Sequence, residues 1–481
     1  VMVLSTELHR CASRSGWASS RPATTINQRS SQLVQRLCSL AEAGNQRRLR
    51  SSNNHGARSG LTGSISSRAS KAIRAMRRGR GLAVAATAGV MVVKATNQAR
   101  ASARCPTKSR PPVNCNHSSS RASGRRLFRL KAAVAEAAIR AIHDNLNGYA
   151  PSDGTTAALS AIRDDAEARG TKAIQHIAIT SGCSEAIEIA LSALVNAGDR
   201  VLVPAPGYPL YTAILAKLDA VAVPYHLDES NDWQPDVDEI TSLLSTPAKA
   251  LVLINPNNPT GSVTPRGVLE QIVAACKASG TVLFADEIYD QLVLTGETPP
   301  PIGSIDAEVP VVTFNGLSKA YVAPGWRIGW AIVSGPKEIV GDWCEAMAKM
   351  ERARLSANHP LQHAIPAALQ QQHPEIEAMR EALRTRGQLI SDRLNAIPGI
   401  SSVPPKGAFY AFPSINLGVD DRTFCAKVIQ ETGAIIVPGS GFGQKQGTEH
   451  FRVVFLPNED ILSRACDGIA AIAAHFRSQG A

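Results

Sequence analysis

Five short apolar runs recur through the middle of this chain, at residues 201–203, 251–254, 282–285, 311–314 and 328–333, each stopped by a turn and separated from the next by helical stretches. Runs without a polar face suit strands buried on both sides, and such strands belong to parallel sheets with helices packed on them. The alternation therefore specifies an α/β fold, a mostly parallel sheet covered by helices. From about Gly341 longer helical periodicity takes over, followed by strand-like segments at 408–412 and 451–455. A smaller C-terminal α/β domain joined by one long helix is expected there. The predicted division is 1–130, a basic extension, 131–340, a large domain, and 341–481, a small one.

In open α/β sheets ligands lie outside the carboxyl ends of the strands, so the residues that follow the runs carry the argument. Run 311–314 leads into Asn315-Gly316-Leu317-Ser318-Lys319, and Arg327 follows eight residues after the lysine. A lysine nucleophile must be partly neutral, a state that desolvation or a neighbouring cation favours. An amine at the mouth of a buried strand, with a guanidinium one short loop away, suits an aldehyde cofactor that carries a phosphate. Pyridoxal phosphate is such a cofactor. An isolated lysine is far more often a solvated surface charge; its neighbours make the difference.

Run 282–285 ends in Asp286, followed by Glu287-Ile288-Tyr289. A carboxylate there can keep a pyridine nitrogen protonated, so that the ring accepts an electron pair released at the substrate Cα; the plainer reading of Asp286 is a helix N-cap. Run 251–254 leads into Asn255-Pro256-Asn257-Asn258-Pro259-Thr260-Gly261. Residues before proline are pushed out of the helical region, so this segment is a rigid turn. Such a turn can aim Asn258 at the cofactor's phenolic oxygen, which Tyr289 could also reach, or it can be purely structural.

Residues 177–180 read as a strand, Ser181-Gly182-Cys183-Ser184 as a turn, and 185–195 as a helix. The N–H groups and dipole at a helix start bind phosphate, and Arg327 can add a bidentate charge. Near the end, Arg452 sits inside the apolar run Phe451 to Phe455. A cation between hydrophobic neighbours is paired, with either an internal carboxylate or a substrate carboxylate.

Taken together, Gly182-Cys183-Ser184, Pro206-Gly207-Tyr208-Pro209, the 255–261 turn, Asp286 to Tyr289, Ser318-Lys319, Arg327 and Arg452 resemble the fold-type I, class I/II aminotransferases from about Asn147 onward. Within that family Gly407-Ala408-Phe409-Tyr410 and Arg354 to Asn358 are similar to the bacterial alanine aminotransferases, which pair alanine with 2-oxoglutarate. The resemblance implies roles by position. Lys319 would carry the cofactor as an aldimine and shuttle the proton; Asp286 would pair with the pyridinium nitrogen; Tyr289 and Asn258 would contact the phenolic oxygen. Tyr208 would stack on the ring, Gly182, Cys183, Ser184, Ser318 and Arg327 would hold the phosphate, and Arg452 would clamp the substrate carboxylate, with Asn258 and Tyr208 beside it. Tyr149 would reach the phosphate of a neighbouring subunit, which implies a two-fold homodimer. Two departures stand out. Gly316 occupies a position where many relatives have a phosphate-binding serine, and the family's glycine-rich N-terminal lid has no counterpart in residues 1–130.

Composition changes sharply near residue 130. Residues 1–130 hold 24 of the 51 Lys and Arg but 2 of the 40 acids, leaving 27 basic and 38 acidic residues in the rest. The formal charge of +11 thus joins a strongly basic front to an acidic body. High charge without hydrophobic periodicity argues for disorder. The favoured reading of the front is a disordered or unrelated extension, ahead of an organelle transit peptide and a nucleic-acid-binding segment; the first residue, Val1, suits a displaced, processed or truncated start. Its one apolar stretch, 82–93, is twelve residues and too short to span a bilayer. The nine cysteines show no Cys-x-x-Cys pair, and neither they nor the eleven histidines show metal-site spacing. A reducing, cytoplasmic setting is expected, with no metal and no membrane, and with nucleic-acid binding left as a minority reading of the front segment. The expected reaction is transamination between L-alanine and 2-oxoglutarate. The alternatives are an aminotransferase with an aspartate, aromatic or other donor, and a cofactor-sensing DNA-binding regulator or inactive relative.

Overall fold

The computed structural model describes residues 132–370 and 373–479. The basic front segment, with its apolar stretch at 82–93, lies outside them. Eight strands form one sheet: β1 (Ile174–Thr180), β2 (Arg200–Ala205), β3 (Val221–Asp228), β4 (Gln234–Pro235), β5 (Ala250–Ile254), β6 (Val282–Asp286), β7 (Val311–Gly316) and β8 (Gly329–Ser334). Their order is β1-β8-β7-β6-β5-β2-β3-β4. The pairs from β7 through to β3 are parallel, whereas β8 is antiparallel to both its neighbours. The sheet is therefore mostly parallel, as the apolar runs require.

Alternation along each strand explains why those runs lack a polar face. Val201, Val203, Val252, Ile254, Phe284 and Phe314 point to one side, where they pack with Ile187, Leu191, Tyr211, Trp343 and Met347 of helices Cys183–Leu194, Pro209–Lys217 and Lys337–Ala353. Leu202, Leu251, Leu253 and Leu283 point to the other, against Ile240, Leu244, Leu269 and Ile272 of helices Val237–Leu244 and Arg266–Ser279. Truncating one of these core aromatics, such as Phe284→Ala, is expected to cost about 3–5 kcal/mol.

Two features of the topology place the site. First, β2 continues to β3 on one side while β5, β6 and β7 build outward on the other, so the order reverses between β2 and β5; a crevice opens at such a point. Second, β1 and β7 are both antiparallel to β8 and so run the same way. The carboxyl ends of β1, β2, β5, β6 and β7, and the amino end of β8, consequently share one edge.

The C-terminal part has short strands β9 (Ile400–Ser401), β10 (Tyr410–Ala411), β11 (Ser414–Ile415), β12 (Val437–Pro438) and β13 (Phe451–Val454). They form a three-stranded antiparallel sheet, β10-β13-β12, and a two-stranded one, β11-β9. Helices Pro374–Asn395, Asp421–Thr432 and Glu459–Gln479 accompany them. The expected boundary at 340/341 falls inside the 17-residue helix Lys337–Ala353. Among the described residues no helix is long and apolar enough to cross a membrane, and no group of three or more His, Cys, Asp or Glu could hold a metal.

Candidate active site

The 181–184 turn, the 206–209 loop, the 255–261 turn, Asp286 to Tyr289, Lys319 and Arg327 lie at the shared edge, whereas Tyr149, the 354–358 and 407–410 segments and Arg452 come from elsewhere in the chain. β1 ends at Thr180 and turns through Gly182 into helix Cys183–Leu194. Gly182 has a φ of +82°, and a Cβ there would lie 2.3 Å from Arg327 Nη2, so only glycine lets the guanidinium rest on the turn. Arg327, itself left-handed at φ 55°, donates from Nη2 to the Ser181 carbonyl at 3.1 Å and from Nη1 to the Pro324 carbonyl at 3.2 Å. Cys183 and Ser184 occupy the first two helical positions, where N–H groups have no carbonyl within the helix to bond. The Cys183 thiol donates to the Asn315 carbonyl at 3.0 Å, and burial pushes its pKa far up. It serves as packing, and the backbone supplies the donors.

Asp286 closes β6 and is buried. Tyr211 donates its hydroxyl to Oδ2 at 3.2 Å, and the Ile288 N–H lies 3.4 Å from Oδ1. Burial pushes the carboxyl up to about 6, while those hydrogen bonds and the attraction of Lys319 hold it down. No α-helix starts at Asp286; a turn and the short 3-10 segment Asp290–Leu292 follow instead, which removes the N-cap alternative. Lys319, half-buried beyond the end of β7, has Nζ 5.4 Å from the Tyr289 ring centroid and 5.7 Å from that of Phe409. The half-buried Ser318 precedes it. Tyr208, on the loop after β2, is held protonated by burial first and by Asp286 and Tyr410 next, with Arg452 and Arg327 acting the other way. Those neighbours put it in the same crevice.

The 255–261 turn is pinned from within. Asn255 exchanges hydrogen bonds with the Thr264 backbone at 3.2 and 3.0 Å, and Asn257 Nδ2 donates to Thr260 Oγ1 at 2.8 Å. Gly261, at φ +71°, would push a Cβ to 2.5 Å from the Tyr410 carbonyl oxygen, so the turn can meet the 405–410 loop only as glycine. Asn258 accepts from Arg452 Nη1 at 3.0 Å, which leaves its Nδ2 as the donating end. Arg452 arrives from β13 and is buried between aromatic residues, its Cζ 4.9 Å from the Tyr410 ring and 4.7 Å from the Phe442 ring. Its buried Nε has no hydrogen-bond partner among the described residues, and burial lowers its pKa. Tyr149 stands apart, 81% exposed in a loop before β1.

These groups fit pyridoxal phosphate. A helix start with free N–H groups and a seated guanidinium suits the phosphate; a buried carboxylate driven toward neutrality suits a cationic ring nitrogen, which would restore its charge; and an amine stands between them. The sequence model of the family "Aminotransferase class I and II" matches residues 122–469. The chain belongs to that family. This class I/II aminotransferase is 38% identical over 326 residues to the glutamate-pyruvate aminotransferase AlaA of Escherichia coli, spanning 65% of this chain and 79% of the relative. It is 36% identical over 314 residues to the alanine aminotransferase of Mycobacterium tuberculosis, spanning 63% and 72%. An alanine aminotransferase structure from Pyrococcus furiosus superposes with a TM-score of 0.69 at 36% identity, over 72% of this chain and 89% of that one. The protein is thus a pyridoxal-phosphate-dependent aminotransferase of fold type I.

The departure at Gly316 has a steric cause in this aminotransferase. A Cβ there would meet the Ile328 carbonyl oxygen at 2.7 Å and Gly329 Cα at 2.8 Å, so a serine does not fit the β7–β8 pairing as built. Sequence reasoning missed three site residues. Tyr211 is one: it falls three residues after Tyr208, the spacing that brings side chains onto one helical face. Tyr410, which the sequence offered only as part of the family-like 407–410 segment, and Phe442 are the others.

Proposed function

We propose that the protein moves the amino group of L-alanine to 2-oxoglutarate, giving pyruvate and L-glutamate in two half-reactions. The observation that carries this is the convergence of Lys319, Asp286 and Arg452 at the reversal point of the sheet, in a chain whose relatives include glutamate-pyruvate and alanine aminotransferases. When bound, the cofactor supplies an aldehyde that takes up the amino nitrogen and a ring that accepts the Cα electron pair. Asp286 keeps a proton on the ring nitrogen. Tyr289 and Asn258 Nδ2 donate to the phenolic oxygen, and Tyr208 covers the ring. The N–H groups at Cys183 and Ser184, the Ser318 hydroxyl and Arg327 hold the phosphate, while Gly182, whose N–H donates to the Thr180 carbonyl at 2.7 Å, shapes the turn.

Arg452 presents the unpaired Nε–H to the α-carboxylate, a planar fork matching a planar anion. Lys319 would be the base, its amine moving the proton released at the substrate Cα, and it would be the residue that holds the cofactor's aldehyde between turnovers. Tyr149, 81% exposed, reaches the phosphate of a second copy in a two-fold dimer.

The test is the visible absorbance of the purified protein with pyridoxal phosphate before and after adding L-alanine, then 2-oxoglutarate. Alanine should convert the cofactor to its amine form and 2-oxoglutarate should reverse this. Conversion by aspartate or tyrosine but not by alanine would reject the alanine assignment. No conversion by any donor would reject the site.

A further inference from the structure

Tyr410 closes the 407–410 segment, whose sequence carries a family likeness but no role in the site, yet its two ends face two different parts of it. It is buried at the start of β10. Its hydroxyl lies 2.8 Å from that of Tyr289, and its ring lies 4.9 Å from the Arg452 guanidinium carbon. A tyrosine hydroxyl has one proton to give. Burial, with Tyr410 next, holds the Tyr289 hydroxyl well above its ordinary pKa, so that proton is present throughout the neutral range. If Tyr289 spends it on the cofactor's phenolic oxygen, as in the function proposed above, the bond between the two tyrosines can run in one direction only, from Tyr410 to Tyr289.

We propose that Tyr410 is a positioning residue that joins the two halves of the site: it donates to Tyr289, strengthening the hydrogen bond to the cofactor's phenolic oxygen, while its ring seats the guanidinium that reads the substrate carboxylate. Chained hydroxyls polarise one another, so a donor behind Tyr289 makes Tyr289 the better donor. A cation over an aromatic face is held without using its N–H groups, which leaves Arg452 Nε free for an incoming anion. Phe442 packs on the same guanidinium at 4.7 Å but has no hydroxyl, so it shares one role and lacks the other. Its carbonyl accepts the Gly207 N–H at 2.8 Å, a backbone contact that survives side-chain substitution.

The full chain carrying pyridoxal phosphate is measured in two ways: the pH midpoint of the bound cofactor's visible absorbance, and the dissociation constant of succinate, an unreactive dicarboxylate, read from the same absorbance. Tyr410→Phe keeps the ring and removes the hydroxyl. Its midpoint should rise by about half a pH unit, because a weaker donor leaves the phenolic oxygen freer to hold the neighbouring proton, and its succinate affinity should stay within about twofold. Tyr410→Leu should shift the midpoint likewise and weaken succinate about fivefold, whereas Phe442→Leu should weaken succinate and leave the midpoint in place. A Tyr410→Phe midpoint equal to that of the unsubstituted protein overturns the proposal, even if Tyr410→Leu does not fold. So does unchanged succinate affinity in a folded Tyr410→Leu. Arg452→Leu separates this from the underlying reading: if it leaves succinate binding intact, the carboxylate role of Arg452 fails; if it abolishes binding while the Tyr410 variants behave normally, only the coupling fails.

Discussion

Gly329→Ala is the sharpest test of how the phosphate turn is held. Gly329 opens β8 with Thr180 of β1 on one side and Gly316 of β7 on the other. A Cβ on it would stand 2.4 Å from the Cys183 amide nitrogen and 2.6 Å from the Gly182 carbonyl carbon. Ordinary contact between heavy atoms needs about 3.5 Å, so the turn must retreat by about 1 Å. Both obstacles are backbone, and no rotamer change relieves them. The strain should cost about 1–3 kcal/mol of stability. The cofactor should suffer in addition, because the Cys183 N–H is one of the donors placed on its phosphate. A hydrogen bond to a charged group contributes about 1.5–3 kcal/mol, so affinity should fall about 10- to 100-fold. Apoprotein titrated with pyridoxal phosphate gives the affinity, and urea unfolding gives the stability. Gly341→Ala is the control: nothing lies within 4 Å of its Cβ, inside helix Lys337–Ala353, so it should gain up to about 1 kcal/mol and bind cofactor normally. A Gly329→Ala protein that binds the cofactor within twofold of the original would refute the placement of phosphate at this turn.

Three further outcomes follow from the same geometry. In the free site Asp286 titrates at about 6, and a cationic ring nitrogen lowers that value. Its contribution to cofactor affinity is therefore complete above pH 6 and lost as the pH falls through the lowered value. Affinities of Asp286→Asn and the unsubstituted protein measured between pH 8 and 5 should converge toward the acid end; parallel profiles would contradict the pairing. Glu287 is buried, accepts the Ile302 N–H at 2.7 Å, and is pushed by burial up to about 7 against the attraction of Arg169. Its folded value lies above the unfolded one, so ionisation costs the native state stability as pH rises from about 4.3 to 7, by up to roughly 3–4 kcal/mol. Glu287→Gln should thus gain in urea midpoint relative to the original at pH 8, with the gain shrinking toward pH 4.5, and a pH-independent difference would rule this out. Finally, Asp420 caps helix Asp421–Thr432, accepting the Thr423 N–H at 2.9 Å; Asp420→Ala should lower stability by about 1 kcal/mol without altering the cofactor spectrum.

The sheet was legible because its strands are buried on both faces, and a run such as Ala250–Ile254 has no other use in a domain of this size. The site residues at strand ends were legible for the same reason: once β5, β6 and β7 are placed, Asn258, Asp286 and Lys319 must emerge at one edge. Residues whose role depends on meeting a distant segment were not. Tyr289 and Tyr410 are 121 positions apart, and nothing in either neighbourhood announces the other. Tyr211 reads as helix core until Asp286 is seen beneath it. Gly316 read as a departure from a serine pattern, and its necessity appears only when β8 is laid beside it. Short-range chemistry is written in short-range sequence, whereas close approach between backbones is a property of the packed sheet.

The charges of the crevice explain why so many separate segments must converge. Lys319, Arg327 and Arg452 bring three cations to the edge against one buried carboxylate, Asp286. An uncompensated buried charge, such as Arg452 or Asp286, is costly, and under the proposed function the ligands supply partners: a substrate carboxylate for Arg452, a cationic ring nitrogen for Asp286, and a phosphate dianion for the exposed Arg327 and half-buried Lys319. The loaded site is then close to neutral. This separates the consequences of losing each cation. Removing Arg327 leaves the phosphate short of its bidentate partner, so the defect belongs to cofactor affinity. Removing Arg452 leaves the cofactor balanced and strands the substrate carboxylate, so cofactor affinity should survive while every amino acid and oxo acid binds poorly. Removing Asp286 makes the site more cationic, which favours phosphate and opposes the protonated ring. The holoprotein should still form in that variant, with its chemistry lost before its binding.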